Sequence, residues 1–399
     1  MAVRVYLKQA WNLMKQNPLF STLYIVGTGI SIVMTMVIAI VYYVRLAPVY
    51  PETNRMRTLV VKSAKMTNDE STHSANISYA MLKDWFYSLE SAEVSTGVSG
   101  TSYARVTNDK EEIPTYARYT DENFFRVFPL VFLEGKPFTE ADRRSGIHNV
   151  VLTDSYAQQL FGTTKGVVGK NFLMDYTNVK VVGVVKSGSF LTPDSYAQVY
   201  LPYSCRDGYD DEGSHWALGG YRVYILMKES KSVTDVQDEV LELVRKFNVS
   251  DMGDGWKLDL VGQPELYWHS TFRLWSNVAV DWGRVIWMFV GIFMALLFVP
   301  AFNLSGMISA RMERQLPDLG IRKAFGASRR RLLVQIIWEN LLLTGLGTLL
   351  GLVIAWIVLA LSGYEIFSLF EVFPKFPPKG VNLGMGIDMF FAPLIFVAA

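Results

Sequence analysis

The sequence predicts an α+β membrane protein. It should have four transmembrane helices, the fourth cut short by the end of the chain, and one large mixed α/β domain outside the membrane. Two observations predict this. Uncharged apolar runs occupy Leu19–Val44, Val285–Ala310 and Asn340–Tyr364, and another begins at Met389. Between the first two, Ala47–Trp282 alternates strand-like and helix-like patterns, as a folded, water-facing domain does.

The bulk composition excludes little by itself but sharpens the pattern. Half of the 399 residues are hydrophobic and 19% are charged, with a net charge of +1. So even a balance gives no electrostatic footprint for nucleic acid. A single cysteine, Cys205, excludes an intramolecular disulfide framework and a multi-cysteine metal cluster.

Residues 1–18 are expected to form a cytoplasmic amphipathic helix at the membrane surface. Leu7, Ala10, Trp11 and Met14 fall on one face, with Arg4, Lys8 and Lys15 elsewhere. Residues 19–46 form the first span. A span needs about 20 apolar residues, whereas the apolar core of a signal peptide has about 7–15. The run is too long for the latter, and Arg45-Leu46-Ala47-Pro48 is a poor cleavage site.

The outside domain covers residues 47–282. Thr58–Lys62, Ile113–Tyr119, Tyr221–Met227 and Trp256–Val261 read as strands. Tyr79–Leu89 and Val233–Phe247 read as amphipathic helices. That order is β-α-β…β-α-β, a ferredoxin-like porter lobe. Residues 121–214, rich in short strands and turns, are expected to be an inserted β-rich lobe. The acidic run Asp207–Glu212 lacks the spacing of a calcium loop and reads as a solvated loop.

The second span is expected at 283–310, a cytoplasmic loop at 311–331 and the third span at 332–364. An outside loop at 365–387 and the start of a fourth span at 388–399 follow. Orientation rests on the basic flanks. The N-terminal flank has no acid, and Arg311, Arg314, Arg322, Lys323, Arg329, Arg330 and Arg331 crowd the 311–331 loop. Both belong on the cytoplasmic side, which puts residues 47–282 outside. Glu339, near the start of the third span, reads as a partner for the adjacent arginines. Gly27 with Ser31, and Gly347 with Gly351, are spaced four apart and are candidate helix-packing positions.

Motifs for self-contained chemistry fail on inspection. Gly162–Lys170 superficially suggests a phosphate loop, but Thr164 and Asn171 stand where glycine and Ser/Thr are required. His73, His148, His215 and His269 form no metal-binding spacing, and no GxSxG nucleophile elbow occurs. A membrane-anchored enzyme whose residues converge from distant positions is the weakest alternative.

The informative stretch is Asn303–Ser328, NLSGMISARMERQLPDLGIRKAFGAS. The second membrane helix should run on to about Gln315, and Pro317 should interrupt it. Asp318 should open a short helix over Leu319–Phe325, its carboxylate near the positive end. Gly326 should end that helix in a left-handed conformation, and Ser328 should cap the next. Apolar Leu319, Ile321, Ala324 and Phe325 beside Arg322 and Lys323 call for a partner surface. A purely topogenic loop explains the arginines but not this pattern.

The stretch Asp318-Leu319-Gly320-Ile321-Arg322-Lys323-Ala324-Phe325-Gly326-Ala327-Ser328 resembles the signature of MacB-like (FtsX-type) ABC transporter permeases, with aspartate where the family usually has glutamate. Asp121–Phe128, Leu133–Phe138, Val150–Thr153, Leu160–Gly162, Val168–Lys170 and Val182–Val185 resemble the family's periplasmic core domain in order and spacing. The resemblance implies an FtsX-like domain over about 285–399 and an inner-membrane location. It implies that Asp318–Ser328 couples to an ABC ATPase, with ATP and magnesium on that partner and no cofactor on this chain. It also implies a dimer with a second copy or a related permease, and an adaptor or outer-membrane component as a further partner. From its eighteen-residue lead, the chain is expected to rely on a separate ATPase polypeptide. The expected function is mechanotransmission, for export or extraction of a peptide, drug or lipoprotein. The alternative is a signalling permease that controls envelope processes such as cell-wall hydrolase activation.

Overall fold

The computed structural model describes residues 18–368 except 101, 109–110, 190–191, 211–215, 251–254 and 327, together with Trp11 and Lys15. The amphipathic segment 1–18, apart from those two residues and Pro18, lies outside the described residues. So do the 369–387 part of the outside loop and the 388–399 start of a fourth span. The described residues divide into two compact units, one of residues up to 43 with 282–368 and one of residues 44–281.

The first unit is helical. Helix α1, Pro18–Leu46, coincides with the first uncharged run. Among the described residues, Ser21–Leu46 and Leu332–Leu361 are long and apolar enough to cross a membrane, and Trp282–Leu296 is a shorter apolar stretch.

The second unit contains two sheets. Its first strands are β1 (Thr58–Val61), β2 (Ala64–Thr67) and β3 (Thr72–Ile77). Helix α2 (Tyr79–Asp84) follows, its N-terminus capped by Ser78, whose hydroxyl accepts from the Met81 N–H at 3.0 Å. Strand β4 is Ala92–Ser99. The chain then leaves for the second sheet through β5 (Ser102–Asn108), β6 (Glu111–Thr120), β7 (Phe132–Gly135), β8 (Asn149–Thr153), β9 (Asn171–Met174), β10 (Thr177–Val185) and β11 (Val199–Pro202). It returns in β12 (Leu218–Gly219) and β13 (Tyr221–Met227). A helix over Val233–Val249 and strands β14 (Lys257–Asp259) and β15 (Glu265–Leu266) complete the first sheet.

In that sheet β15, β1, β13 and β4 lie side by side, each antiparallel to its neighbour. This is the expected split β-α-β arrangement, with two corrections to its strands. The strand after α2 is Ala92–Ser99, and the strand expected at Ile113–Tyr119 belongs to the other sheet, where β6 pairs with β5 and β11. Alternation marks residues 113–119 as a strand but cannot name its neighbours. Ala92–Ser99 is buried at all but Glu93, and its small residues Ala92, Ser95, Gly97 and Ser99 give only a weak strand signal. The second correction concerns the fourth position: β15 lies beside β1, while β14, within Trp256–Val261, pairs with β2. Two turns of α2 cover the sheet so closely that a Cβ on Gly97 would meet a Leu82 methyl at 2.2 Å.

The inserted lobe therefore opens at Ser102, earlier than the expected 121–214. Its pairings run β10–β8–β11–β6–β5–β9 and return from β9 to β10, closing a six-stranded ring, with β7 added on β10. Closure pairs each of these six strands on both sides among the described residues. Val106, Leu152, Tyr156, Val181 and Leu201 fill the ring. Another apolar cluster, including Val60, Phe124, Phe128, Tyr200, Tyr224 and Tyr267, joins the two lobes.

Candidate functional site

The residues of interest fall in two places, one in each unit. In the helical unit, the segment Asp318–Ser328 ends one helix and begins the next. The helix over Trp282–Ala324 is continuous, so Pro317 does not separate a short helix from the one before. The expected break is thereby corrected. A proline removes its own N–H bond and strains the preceding turn, and the flanking bonds can carry the helix on through a bend. The end comes where expected. The Phe325 N–H donates to the Ile321 carbonyl at 3.1 Å, and Gly326 takes φ +87°. Ser328 immediately precedes the helix Arg329–Ser368, and its carbonyl accepts from the Leu332 N–H at 3.3 Å. Ile321 is 57% exposed and Phe325 is 88% exposed. Spaced four apart, they share one side of the helix end. Gly320, Lys323, Ala324, Gly326 and Ser328 are exposed as well. Ala327 and the side chains of Asp318, Leu319, Arg322 and Glu339 lie outside the described residues.

Of the packing glycines, Gly347 and Gly351 do bring two helices together. A Cβ on Gly351 would stand 2.6 Å from the Gly29 carbonyl, and one on Gly347 would stand 2.7 Å from Thr28 Cβ. The close approach on α1 is thus made at Thr28 and Gly29. The Ser31 hydroxyl donates to the Gly27 carbonyl within its own helix at 3.0 Å. Tyr24 and Thr344 add a hydroxyl–hydroxyl bond of 3.0 Å across the same two helices.

In the second unit, charged groups are buried where the chain leaves α1 and where it enters the helix at Trp282. After α1, Arg55 pairs with Glu52, and their side chains are 4% and 0% exposed. The Arg55 guanidinium also donates to the Val44 carbonyl, in the last turn of α1, at 2.7 Å. Glu52 accepts from the Ser195 hydroxyl of the inserted lobe at 2.8 Å. The same linker reaches that lobe twice more. The Tyr50 hydroxyl donates to the Lys186 carbonyl at 3.0 Å and accepts from the Val131 N–H at 3.1 Å. Asn54 donates to the Val127 carbonyl at 3.3 Å.

Before the helix at Trp282, Arg273 pairs with Glu265, their side chains 3% and 8% exposed. Burial holds the Glu265 carboxyl above its ordinary range despite this partner. Arg273 also donates to the Val278 carbonyl at 2.6 Å and the Val261 carbonyl at 2.9 Å. This linker is bonded to the first sheet through β15, and the Tyr267 N–H donates to the Thr58 carbonyl at 2.8 Å. The Arg55 guanidinium lies 5.2 Å over the Tyr267 ring, so the two linkers touch.

Two further buried carboxylates hold the lobes together. Burial alone would raise Asp194, but Lys62 at 3.6 Å, Arg222 at 2.9 Å and the field of Arg118 hold it well below the usual carboxylate range. Lys62 and Arg222 come from the first lobe and Asp194 from the second. Asp121, fully buried, accepts from Tyr87 at 2.6 Å, Thr96 at 2.7 Å and the Gly97 N–H at 2.9 Å, all on the first lobe. It also accepts from the N–H groups of Asn123 and Phe124. Desolvation outweighs these donors and pushes its carboxyl up to about 6.

Glu52, Arg55, Asp194, Glu265 and Arg273 were not singled out in the sequence. No pattern separates a buried carboxylate from a solvated one; the only signal was the placement of Glu52 and Arg55 just past an uncharged run.

Comparison with known proteins matches both parts. The family model of the MacB-like periplasmic core domain matches residues 20–243, and that of the FtsX-like permease C-terminal region matches residues 287–399. Macrolide export ATP-binding/permease protein MacB of Escherichia coli O157:H7 is 22% identical over 268 residues, covering 66% of this chain and 39% of that protein. The protein of the same name from Shigella flexneri matches with the same identity and coverage. The chain thus spans 39% of the length of these curated relatives. Among solved structures, the periplasmic region of MacB from Actinobacillus actinomycetemcomitans is 16% identical, with a TM-score of 0.36, covering 50% of this chain and 88% of that one. The extracellular domain of the noncanonic ABC-type transporter YknZ from Gram-positive bacteria is also 16% identical, with a TM-score of 0.35, covering 49% of this chain and 99% of that one.

Proposed function

We propose a function from the premise that this chain belongs to the family of FtsX-type permeases with a MacB-like periplasmic core domain. It is the permease component of an ABC transporter and works by mechanotransmission. An ATPase grips the exposed turn around Ile321 and Phe325, and its closure moves the membrane helices. Their movement reaches the outside domain through the two buried joints. The outside domain then changes its grip on a periplasmic peptide, drug or lipoprotein.

The observation that carries this reading is the unequal anchoring of the joints. The linker after α1 is hydrogen-bonded to the inserted lobe at Val127, Val131, Lys186 and Ser195, besides its bonds to the first sheet between Arg57 and Met227. The linker before the helix at Trp282 is bonded to the first sheet. A relative shift of these two helices therefore loads the contact between the lobes. Buried, hydrogen-bonded joints pass such a shift on, because packed interiors yield in discrete steps rather than smoothly. Nothing in this scheme requires a polar path through the bilayer, and none of the phosphate-loop chemistry of ATP hydrolysis is needed on this chain.

The reading places residues 47–282 on the periplasmic side and Asp318–Ser328 in the cytoplasm, in line with the basic flanks. Crosslinking in native membranes tests it. Pull-down of the full chain should recover an ATP-binding subunit, and Phe325→Asp should lose that subunit while still inserting. Full activity in membranes that hold no such ATPase would overturn the proposal. A transport assay run beside an envelope-regulation readout then separates export from a signalling role.

A further inference from the structure

One cavity in the helical unit is unused by the scheme above. It has a volume of about 350 Å³ and is lined by Trp11, Lys15, Ser21, Thr22, Ile25 and Leu346, with Pro18. That volume is at the lower end of the range of small-ligand sites. Its wall is shared by the segment before α1, the first two turns of α1 and the helix containing Leu346. The chemistry of the lining is graded. Ile25 and Leu346 are aliphatic; Ser21 and Thr22 supply hydroxyls. Lys15 supplies a cation, its ammonium 5.8 Å from the Trp11 ring, and Trp11 is half exposed.

We infer that this groove holds an anionic phospholipid from the leaflet that Lys15 faces. The acyl chain lies against Ile25 and Leu346, and the phosphate sits near Lys15. Three features of the groove select this occupant. It opens beside a helix apolar enough to span a membrane, so the surrounding solvent is lipid. Tryptophan and lysine together are the residue pair that settles at the boundary between acyl chains and headgroups. And the first 18 residues carry Arg4, Lys8 and Lys15 with no acid, which attracts a negative headgroup over a zwitterionic one. A lipid seated there would brace α1 at its first turns against the helix that meets it at Gly347 and Gly351.

Native mass spectrometry of the full chain, released from detergent carrying equal phosphatidylglycerol and phosphatidylcholine, tests this. The wild type should retain phosphatidylglycerol preferentially. Lys15→Gln should lower that preference about fivefold, and Lys15→Arg should keep it. Thr22→Phe, which fills the groove, should lose retention of both lipids. Equal retention of the two lipids by the wild type, or an undiminished preference in Lys15→Gln, would overturn the assignment of charge. Full phosphatidylglycerol retention by Thr22→Phe would overturn the assignment of place.

Discussion

Arg55 and Glu52 form a buried ion pair, and the same guanidinium holds the Val44 carbonyl at the end of the first membrane helix. Removing one member of such a pair leaves the other charged and desolvated, which typically costs about 3–5 kcal/mol. Arg55→Met should therefore lower the unfolding temperature of the full chain markedly. Adding Glu52→Gln to it should recover part of the loss, because the stranded charge is then gone. Thermal unfolding of the two single variants and the double variant reads this directly. Strictly additive losses would contradict the pairing.

Asp121 predicts a pH dependence. Its carboxyl rises from 3.8 to about 6 on folding. A raised acid contributes stability that is present below its unfolded value and is lost as pH rises through its folded value. The outside domain should therefore lose this contribution between about pH 4 and 6. Asp121→Asn should flatten that part of the stability–pH curve. It should also lower stability throughout, since an amide cannot accept from every donor facing Asp121 (an unmet buried donor costs about 1–3 kcal/mol). An unchanged slope between pH 4 and 6 would show that another group titrates there.

Asp194 behaves in the opposite sense. Its carboxylate stays charged among Lys62, Arg222 and Arg118. Asp194→Asn should loosen the contact between the lobes, because Lys62 and Arg222 on the first lobe then lose the carboxylate that pairs with them from the second. Protease nicking within Ser187–Gln198 should become faster in the variant, and equal rates would count against this role.

Gly351 and Gly345 make a matched pair for the membrane helices. A Cβ at Gly351 would meet the Gly29 carbonyl at 2.6 Å, whereas one at Gly345 meets nothing within 4 Å. Gly351→Ala should weaken the contact of these helices by about 1–3 kcal/mol, the usual cost of overpacking. Gly345→Ala should leave it unchanged. Disulfide crosslinking between cysteines introduced at Tyr24 and Thr344, in a Cys205→Ser background, reports the contact.

The sequence made the long apolar helices and the turn at Gly326 legible because their signals are local. An uncharged run of span length reads directly as a long helix, and Gly326 does end its helix with positive φ. The split β-α-β lobe was legible as a pattern, yet its strand partners were not. Residues 113–119 look the same in either sheet, and Ala92–Ser99 is built largely of small residues whose strand signal is weak. Pro317 misled because a long helix can carry one proline's local penalty without ending. Gly29 rather than Gly27 makes the close contact on α1, since spacing fixes a face only when the partner's position is known. The joints were the least legible part: Glu52–Arg55 and Glu265–Arg273 become pairs only once burial is seen.

The most direct measurement places spin labels at Lys165 in the inserted lobe and Leu241 in the first lobe, both exposed, with Cys205 replaced by serine. Distances are then recorded in membranes together with the ATPase. Mechanotransmission predicts that ATP shifts the distance distribution and that Phe325→Asp abolishes the shift. Identical distributions with and without ATP, or a shift that survives Phe325→Asp, would contradict it.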